Sequence, residues 1–329
     1  MYTFSEVYGN NQIIKSLQSS IKRGKISHSY IFAGNPGSGK KLIANTFAKT
    51  ILCKMEGINP CKNCKSCIVF DTLNHPDILY ISSEKESIGV DLVRENINKS
   101  INILPYGKHK IIIMERACTM THAAQNALLK TLEEPPQYSL IILLVNNVNN
   151  LLHTILSRCV TYNVGILNDS EMLEYLNSKN IKCDPVYLSY AQGNIGVLNK
   201  LLEDHKFNDI LNFTVKFLFE LNKQSVSGIF KYFKILESYK EDISTVLEIM
   251  QLFLRDCIVL KQFSHIKVEK YLILKDFLNL LYPYIQNSNC SSLIKKLEAV
   301  NFGIFALRQN ANFQLAMEVM LFNIRKNEP

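Results

Sequence analysis

The chain has 329 residues, a formal charge of +8, nine Cys and no Trp. Its 47% hydrophobic and 20% charged content is that of a folded protein and excludes a disordered one. The longest apolar run, Leu140 to Val145, is far short of the roughly 20 residues of a membrane span.

The length predicts two or three domains. Residues 1–210 and 211–329 each carry a net charge of +4, so the basicity is diffuse and singles out no DNA-binding tail. The opening MYTFSEVYGN has no basic n-region and no apolar h-region. A cytoplasmic location follows as the expectation, with reduced thiols and no membrane partner.

Ser29–Ala33 reads as a buried strand, followed by a Gly-rich turn and a helix from Lys40 to Leu52. Asp77–Ile81, Lys110–Met114 and Leu140–Val145 are further short apolar runs, separated by helical stretches over 90–101 and 123–132. That alternation predicts βαβ units and a parallel sheet. Beyond about residue 165 the strand signals stop. Asp169-Ser170 and Asp184-Pro185 look like helix starts, and apolar residues at helical spacing fill 210–221, 226–236, 243–260, 268–281, 291–307 and 311–324. The expected organisation is an α/β domain over 1–165, a small helical lid over 166–206 and an all-helical domain over 207–329.

Gly34-Asn35-Pro36-Gly37-Ser38-Gly39-Lys40-Lys41 lies between the first strand and its helix, the context of a P-loop. The glycines Gly34, Gly37 and Gly39 let backbone N–H groups surround phosphates, and Lys40 reaches the terminal ones. The alternative is a Gly-rich turn that binds nothing. The next position normally holds a Ser or Thr hydroxyl that ligates Mg²⁺, and here it is Lys41, a donor-only cation. The strand 110–114 ends in Glu115-Arg116, where such sites carry Mg²⁺-associated acids, and Arg116 cannot act as a base. Nucleotide (ATP or ADP) binding stays open, while Mg²⁺-assisted hydrolysis is not expected.

Cys53, Cys61, Cys64 and Cys67 form a C-x7-C-x2-C-x2-C cluster. Four thiols within fifteen residues suit a structural, tetrahedral Zn²⁺ with no open position for chemistry. An iron–sulfur cluster is the rival occupant. The remaining five Cys sit among apolar neighbours and read as core thiols.

Taken in order, these motifs resemble the clamp-loader subunits of bacterial DNA polymerase III, of the AAA+ class. The likeness rests on Ser27-His28-Ser29-Tyr30-Ile31-Phe32, the cysteine cluster after the P-loop helix, residues 126–136 (NALLKTLEEPP) and Thr154-Ile155-Leu156-Ser157-Arg158-Cys159. It implies an AAA+ P-loop domain, a helical lid and a helical collar. It also implies gamma/tau and delta subunits as partners in a hetero-pentamer that uses ATP to place a sliding clamp on primed DNA. Hydrolysing members of the family end the P-loop in Lys-Ser/Thr, end the second strand in Asp-Glu and carry a sensor arginine in a G-S-x-R-D-A segment. This chain has Lys41, Glu115-Arg116 and Gly193-Asn194-Ile195-Gly196 instead, which implies a non-hydrolysing stator. Asn146 or Asn147 occupies the region of the first sensor. Arg158, in the Ser-Arg-Cys motif, is then expected to reach ATP bound by a neighbouring subunit, the alternative being a pairing with a local carboxylate. Two other readings remain: an active gamma/tau-like ATPase, and a zinc-stabilised nucleic-acid-binding module.

Overall fold

The computed structural model describes residues 2–83, 87–101, 103–204, 206–221, 229–263, 268–286 and 288–326. Its helices and strands follow the apolar periodicity of the sequence in most places. Helix α1 (Asn11–Lys22) precedes strand β1 (Ser29–Ala33), helix α2 (Lys40–Leu52), helix α3 (Lys65–Asp71) and strand β2 (Ile78–Ile81). Then come α4 (Val90–Ile101), β3 (Lys110–Met114), α5 (His122–Glu133), β4 (Ser139–Val145), the single turn α6 (His153–Leu156) and β5 (Val160–Asn163). The five strands form one parallel sheet in the order β2-β3-β4-β1-β5.

Both faces of this sheet are covered, as a parallel sheet requires. Tyr30, Phe32, Ile111, Ile113, Ile142 and Leu144 pack on one side with Ile43, Ala44 and Phe47 of α2. The alternate residues Ile31, Ala33, Ile112, Met114, Ile141 and Leu143 pack on the other with Val93 of α4 and Leu128 of α5. β1, β3 and β4 are buried along their whole length, which is why their sequences are continuous apolar runs and not alternating ones. β5 escaped the sequence reading because it is a short edge strand, mostly exposed and polar at Thr161 and Asn163. α1 and α3 were likewise not anticipated.

The chain continues through α7 (Asp169–Ser178), α8 (Pro185–Ala191), α9 (Ile195–Glu203), α10 (Phe207–Leu221), α11 (Ile229–Glu237) and α12 (Ile243–Gln262). It ends with α13 (Leu278–Gln286), α14 (Cys290–Arg308) and α15 (Phe313–Lys326). α7 starts with a full capping box: Glu171 N–H donates to Asn168 Oδ1, and Asn168 N–H donates to Glu171 Oε2, both at 2.9 Å. Pro185 opens α8 at the position where its missing N–H costs nothing. The helix expected from residue 226 begins outside the described residues.

One helix expectation fails. Residues 268–281 do not form a continuous helix: two short 3₁₀ turns, Glu269–Tyr271 and Lys275–Phe277, precede α13. The cause is Asp256 on α12, a fully buried carboxylate whose Oδ2 accepts the N–H groups of Ile273 (2.8 Å) and Leu274 (2.7 Å). Those amides bind a charge and are withheld from a helical ladder. Burial raises the Asp256 pKa, against the lowering effect of these N–H groups and of Arg255.

Two compact units result: 1–182 with 192–197, and 183–191 with 198–329. The residues expected for the lid, 166–206, are divided between them. In the second unit α12 packs on α10, α13 and α14, and α14 packs on α15, where Gly303 brings the backbone against Met320.

Candidate nucleotide loop and cysteine centre

α2 joins the two candidate sites. Its N-terminus emerges from the Gly-rich loop at the C-terminal end of β1, and its C-cap is Cys53. Gly37 (φ +81°) and Gly39 (φ +89°) occupy backbone conformations that side chains rarely adopt. At Gly37 a Cβ would also lie 2.3 Å from Asn194 Oδ1.

The loop is bound by its own protein. Lys40 is nearly buried, and its ammonium donates to Gly34 O (2.5 Å), Asn35 O (2.8 Å) and Asn146 Oδ1 (3.2 Å). Those three acceptors match its three donors, and burial lowers its pKa. Asn146 is thus the residue of the first-sensor region that touches the loop. Asn147 turns away to accept the Asn149 N–H at 2.9 Å.

The segment 193–196 closes over the other side of the loop. Asn194 Nδ2 donates to Pro36 O at 2.7 Å, and Gly196 N–H donates to Gly37 O at 3.1 Å. A Cβ on Gly196 would lie 2.4 Å from Gly37 Cα, so glycine is needed for the close approach. The sequence reading noted what this segment lacks and missed what it does. The signal available was two glycines flanking an Asn, a residue that turns backbone and donates from its side chain.

Lys41 and Glu115, the two departures from a Mg²⁺ site, meet each other. Lys41 Nζ lies 2.6 Å from Glu115 Oε1, with side chains 59% and 27% exposed. Arg116, with φ +51°, donates from its guanidinium to Ser83 O. Gly34, Gly37, Gly39, Lys40, Lys41 and Glu115 are therefore brought together, while Arg116 is engaged with Ser83, two residues past β2.

Arg158 follows α6 and is about one-third exposed. Its Nη2 lies 3.0 Å from Glu133 Oε1 at the end of α5, and its Nη1 donates to Thr154 O (3.0 Å) and Ser157 Oγ (3.3 Å). The local carboxylate that the sequence reading allowed for is Glu133.

Cys53, Cys61, Cys64 and Cys67 converge, with all four Sγ atoms within 4.8 Å of one another. Sulfurs around a tetrahedral ion with Zn–S of about 2.3 Å stand about 3.8 Å apart, so the cage fits such an ion. Backbone N–H groups of Cys61, Cys64 and Cys67 donate to the sulfurs of Cys53 (3.4 Å), Cys61 (3.3 Å) and Cys64 (3.5 Å). These bonds orient sulfur lone pairs and stabilise thiolates. At Cys64 burial opposes ionisation, but the hydrogen bonds, first from the Cys67 N–H, prevail and bring the pKa down to about 6. The four residues could hold a metal ion, and Ser66 and His75 brace the module from behind. Asp77 N–H donates to His75 Nδ1 (3.1 Å), His75 Nε2 meets Ser66 Oγ (2.9 Å), and Ser66 donates to Leu52 O (2.6 Å).

A parallel sheet with a glycine loop at the end of a buried inner strand, a cysteine module after the loop helix and a helical C-terminal part define an α/β protein of the P-loop kind. The family described as DNA polymerase III, delta subunit, matches residues 9–167. The delta' subunit of Bacillus subtilis DNA polymerase III is 26% identical over 324 residues, 96% of each chain. The gamma subunit of Buchnera aphidicola (subsp. Baizongia pistaciae) is 31% identical over 179 residues, 54% of this chain and 48% of its own. The chain spans between 25% and 48% of the length of this and two further tau or gamma relatives that it matches. A solved gamma subunit-related protein of Thermotoga maritima aligns over 96% of this chain and 99% of its own, at 17% identity and a TM-score of 0.47. In sequence the chain is thus similar to the delta-prime and gamma/tau subunits of DNA polymerase III, and the likeness to the Bacillus subtilis delta' subunit runs over nearly its whole length. Among the described residues no helix is long and apolar enough to cross a membrane.

Proposed function

We propose that this chain is a non-hydrolysing stator of a clamp loader, working with gamma/tau and delta subunits to place a sliding clamp on primed DNA. The observation that carries this reading is the 2.6 Å ion pair between Lys41 and Glu115. A P-loop enzyme needs a hydroxyl and a carboxylate free to flank Mg²⁺. Here an ammonium stands in the first position and neutralises the acid in the second, so a divalent cation would meet a positive charge and an occupied ligand. The engagement of Lys40 with three oxygens and the docking of Asn194 and Gly196 on the loop support the same reading.

In this proposal Arg158 acts on ATP held by a neighbouring subunit. A guanidinium stays charged and forks onto phosphate oxygens, stabilising charge as it develops. The pairing with Glu133 favours a second reading, in which Arg158 ties α6 to α5 and does nothing else. The cysteine module holds a structural Zn²⁺ in both readings.

The test is Mg²⁺-dependent ATP hydrolysis by the isolated chain, then by the loader reconstituted with clamp and primed DNA. Turnover by the isolated chain at the rate of an ordinary AAA+ subunit would overturn the stator reading. Reconstituted turnover that Arg158→Ala leaves unchanged, at saturating clamp and DNA, would leave Arg158 only its local role.

A further inference from the structure

A cavity of about 890 Å³ lies at the end of the sheet opposite the glycine loop, where α1 and α2 finish and β2 and β3 begin. It is near the upper end of the roughly 300–1,000 Å³ of ligand pockets. Its apolar lining comes from Ile21, Ile26, Ile51, Ile58 and Val69. Four cations, Lys22, Arg23, Lys54 and Lys65, also line it, and among the described residues no ion pair engages any of them. A fifth, Lys108, is paired with Glu56, and that pair joins the loop before β3 to the cysteine module. The other lining carboxylate, Asp77, is buried and satisfied by the N–H groups of Tyr106 and Gly107, both at 2.7 Å.

Those two bonds make the rim rigid. Asp77 fixes the backbone at 106–107, and the Asp77–His75–Ser66–Leu52 chain ties it to the last turn of α2. On this fixed backbone the Tyr106 side chain is 88% exposed. Leu104 on the same loop is 76% exposed, and Met55, beside the cavity-lining Lys54, is 70% exposed. An aromatic side chain on a fixed backbone, with exposed aliphatic groups near it beside a pocket, is what the centre of a binding surface consists of.

The charge selects the occupant. A Zn²⁺ bound by four thiolates carries two net negative charges, which Lys54 and Lys65 on the module offset. Lys22 and Arg23, at the end of α1, remain uncompensated. A ligand must therefore bring apolar groups for the floor and negative charge for the rim. An acidic peptide with aliphatic or aromatic side chains has both. Nucleic acid brings charge, but its successive bases stack on a row of aromatic side chains, and here one tyrosine, Tyr106, stands beside an aliphatic floor. We propose that this cavity is a docking site for a short acidic, apolar-anchored peptide segment of a partner protein.

The probe is a random heptapeptide library displayed on phage, selected against the full chain with its metal bound. A synthetic peptide of the resulting consensus is then titrated by fluorescence anisotropy. The expected consensus combines Asp or Glu with Leu, Ile or Phe. Binding should weaken at least tenfold in the double variant Lys22→Glu/Arg23→Glu and with added salt. Ile58 is 42% exposed, so Ile58→Asp should preserve the fold and metal content while also weakening binding at least tenfold. A consensus without acids, or peptide binding indifferent to both variants, would overturn the proposal. So would a single-stranded oligonucleotide that binds the wild-type cavity, loses affinity in the same variants and is not displaced by the peptide.

Discussion

The two ends of α2 look alike in the sequence and differ in the structure. Each carries a recognisable ligand motif: a phosphate loop before Lys40 and a thiol cluster from Cys53. At the loop end, the groups that would receive a ligand already have partners within the chain: Lys40 with three oxygens, Lys41 with Glu115. At the thiol end, four sulfurs face one another within 4.8 Å, and among the described residues their hydrogen bonds come from their own module: backbone N–H groups and, at 3.9 Å, the Cys61 thiol onto Cys67 Sγ. A motif records which residue types are present. Whether a ligand is called for depends on what else satisfies those residues.

The largest expected effect is at the thiol end. Freshly purified protein should contain one Zn per chain, and Cys67→Ser should lose it. Structural zinc contributes on the order of 10 kcal/mol to the folding of isolated zinc peptides. Chelation should therefore deprotect the amides of residues 53–67 in hydrogen exchange while β1, β3 and β4 stay protected. Iron with visible absorbance in place of zinc, or unchanged exchange after chelation, breaks the contrast between the two ends.

Second in size is Arg158→Ala in the reconstituted loader. Arginine fingers contribute about 10³–10⁵ in rate where they act. ATP turnover should fall at least tenfold, with the melting temperature of the isolated chain nearly unchanged, because the Glu133 pair is partly exposed and pairs of that kind stabilise by about 1 kcal/mol or less.

The third compares two glycines of the loop region. Gly196→Ala would place a Cβ 2.4 Å from Gly37 Cα, against backbone that cannot rotate away. It should cost about 3 kcal/mol or more, the upper end of what overpacking does and more than the other glycine. Gly39→Ala has no neighbour within 4 Å and carries only the strain of its positive φ, about 1–2 kcal/mol. Equal losses in thermal denaturation would mean that segment 193–196 does not press on the loop in solution.

The sheet was legible because β1, β3 and β4 are buried on both faces and read as unbroken apolar runs. The phosphate loop and thiol cluster were legible because both are local, with all their residues within fifteen positions. What the sequence hid is long-range and polar. Nothing local says that Asn194 donates to Pro36, 158 positions away, or that Lys40 meets Asn146, 106 positions away. The misread helix over 268–281 has the same cause, since the apolar spacing was right and Asp256 on another helix captured two of its amides. Lys41 and Glu115 were each noticed as a departure; that they form one pair needed the register of the sheet.

Lys40 gives the fourth test, at a smaller scale. In an ordinary P-loop this lysine serves the nucleotide, and its loss leaves the nucleotide-free protein largely unharmed. Here Lys40→Met leaves three oxygens without their donor, and the nucleotide-free chain should lose about 1–3 kcal/mol. The pH dependence has a definite sign. Burial lowers the folded-state pKa below the ordinary 10.5, so the unfolded chain holds this proton more tightly. The contribution of this titration to stability is smallest below the folded pKa, rises as pH climbs from there toward 10.5 and is complete above it. Lys40→Met should remove that rise; an unaltered profile would mean that the ammonium is solvated.

The smallest effect bears most directly on the comparison. Lys41 is more than half exposed, so its pair with Glu115 is screened and should couple by only about 0.2–1 kcal/mol in a double-mutant cycle of Lys41→Ala and Glu115→Ala. The functional consequence is out of proportion to that energy, because the pair decides which cation the position accepts. Replacing both partners, Lys41→Thr with Glu115→Asp, removes the resident positive charge and supplies the hydroxyl and the shorter acid of a Mg²⁺ site. If the ion pair is what excludes the metal, the double variant should bind a fluorescent ATP analogue more tightly with Mg²⁺ than without, and the wild type should show no such difference. If neither protein responds to Mg²⁺, the block lies in Lys40, Asn194 and Gly196, which hold the loop on its own carbonyls. Gly196→Ala in the double-variant background then separates the two, since loosening that contact should let the response appear.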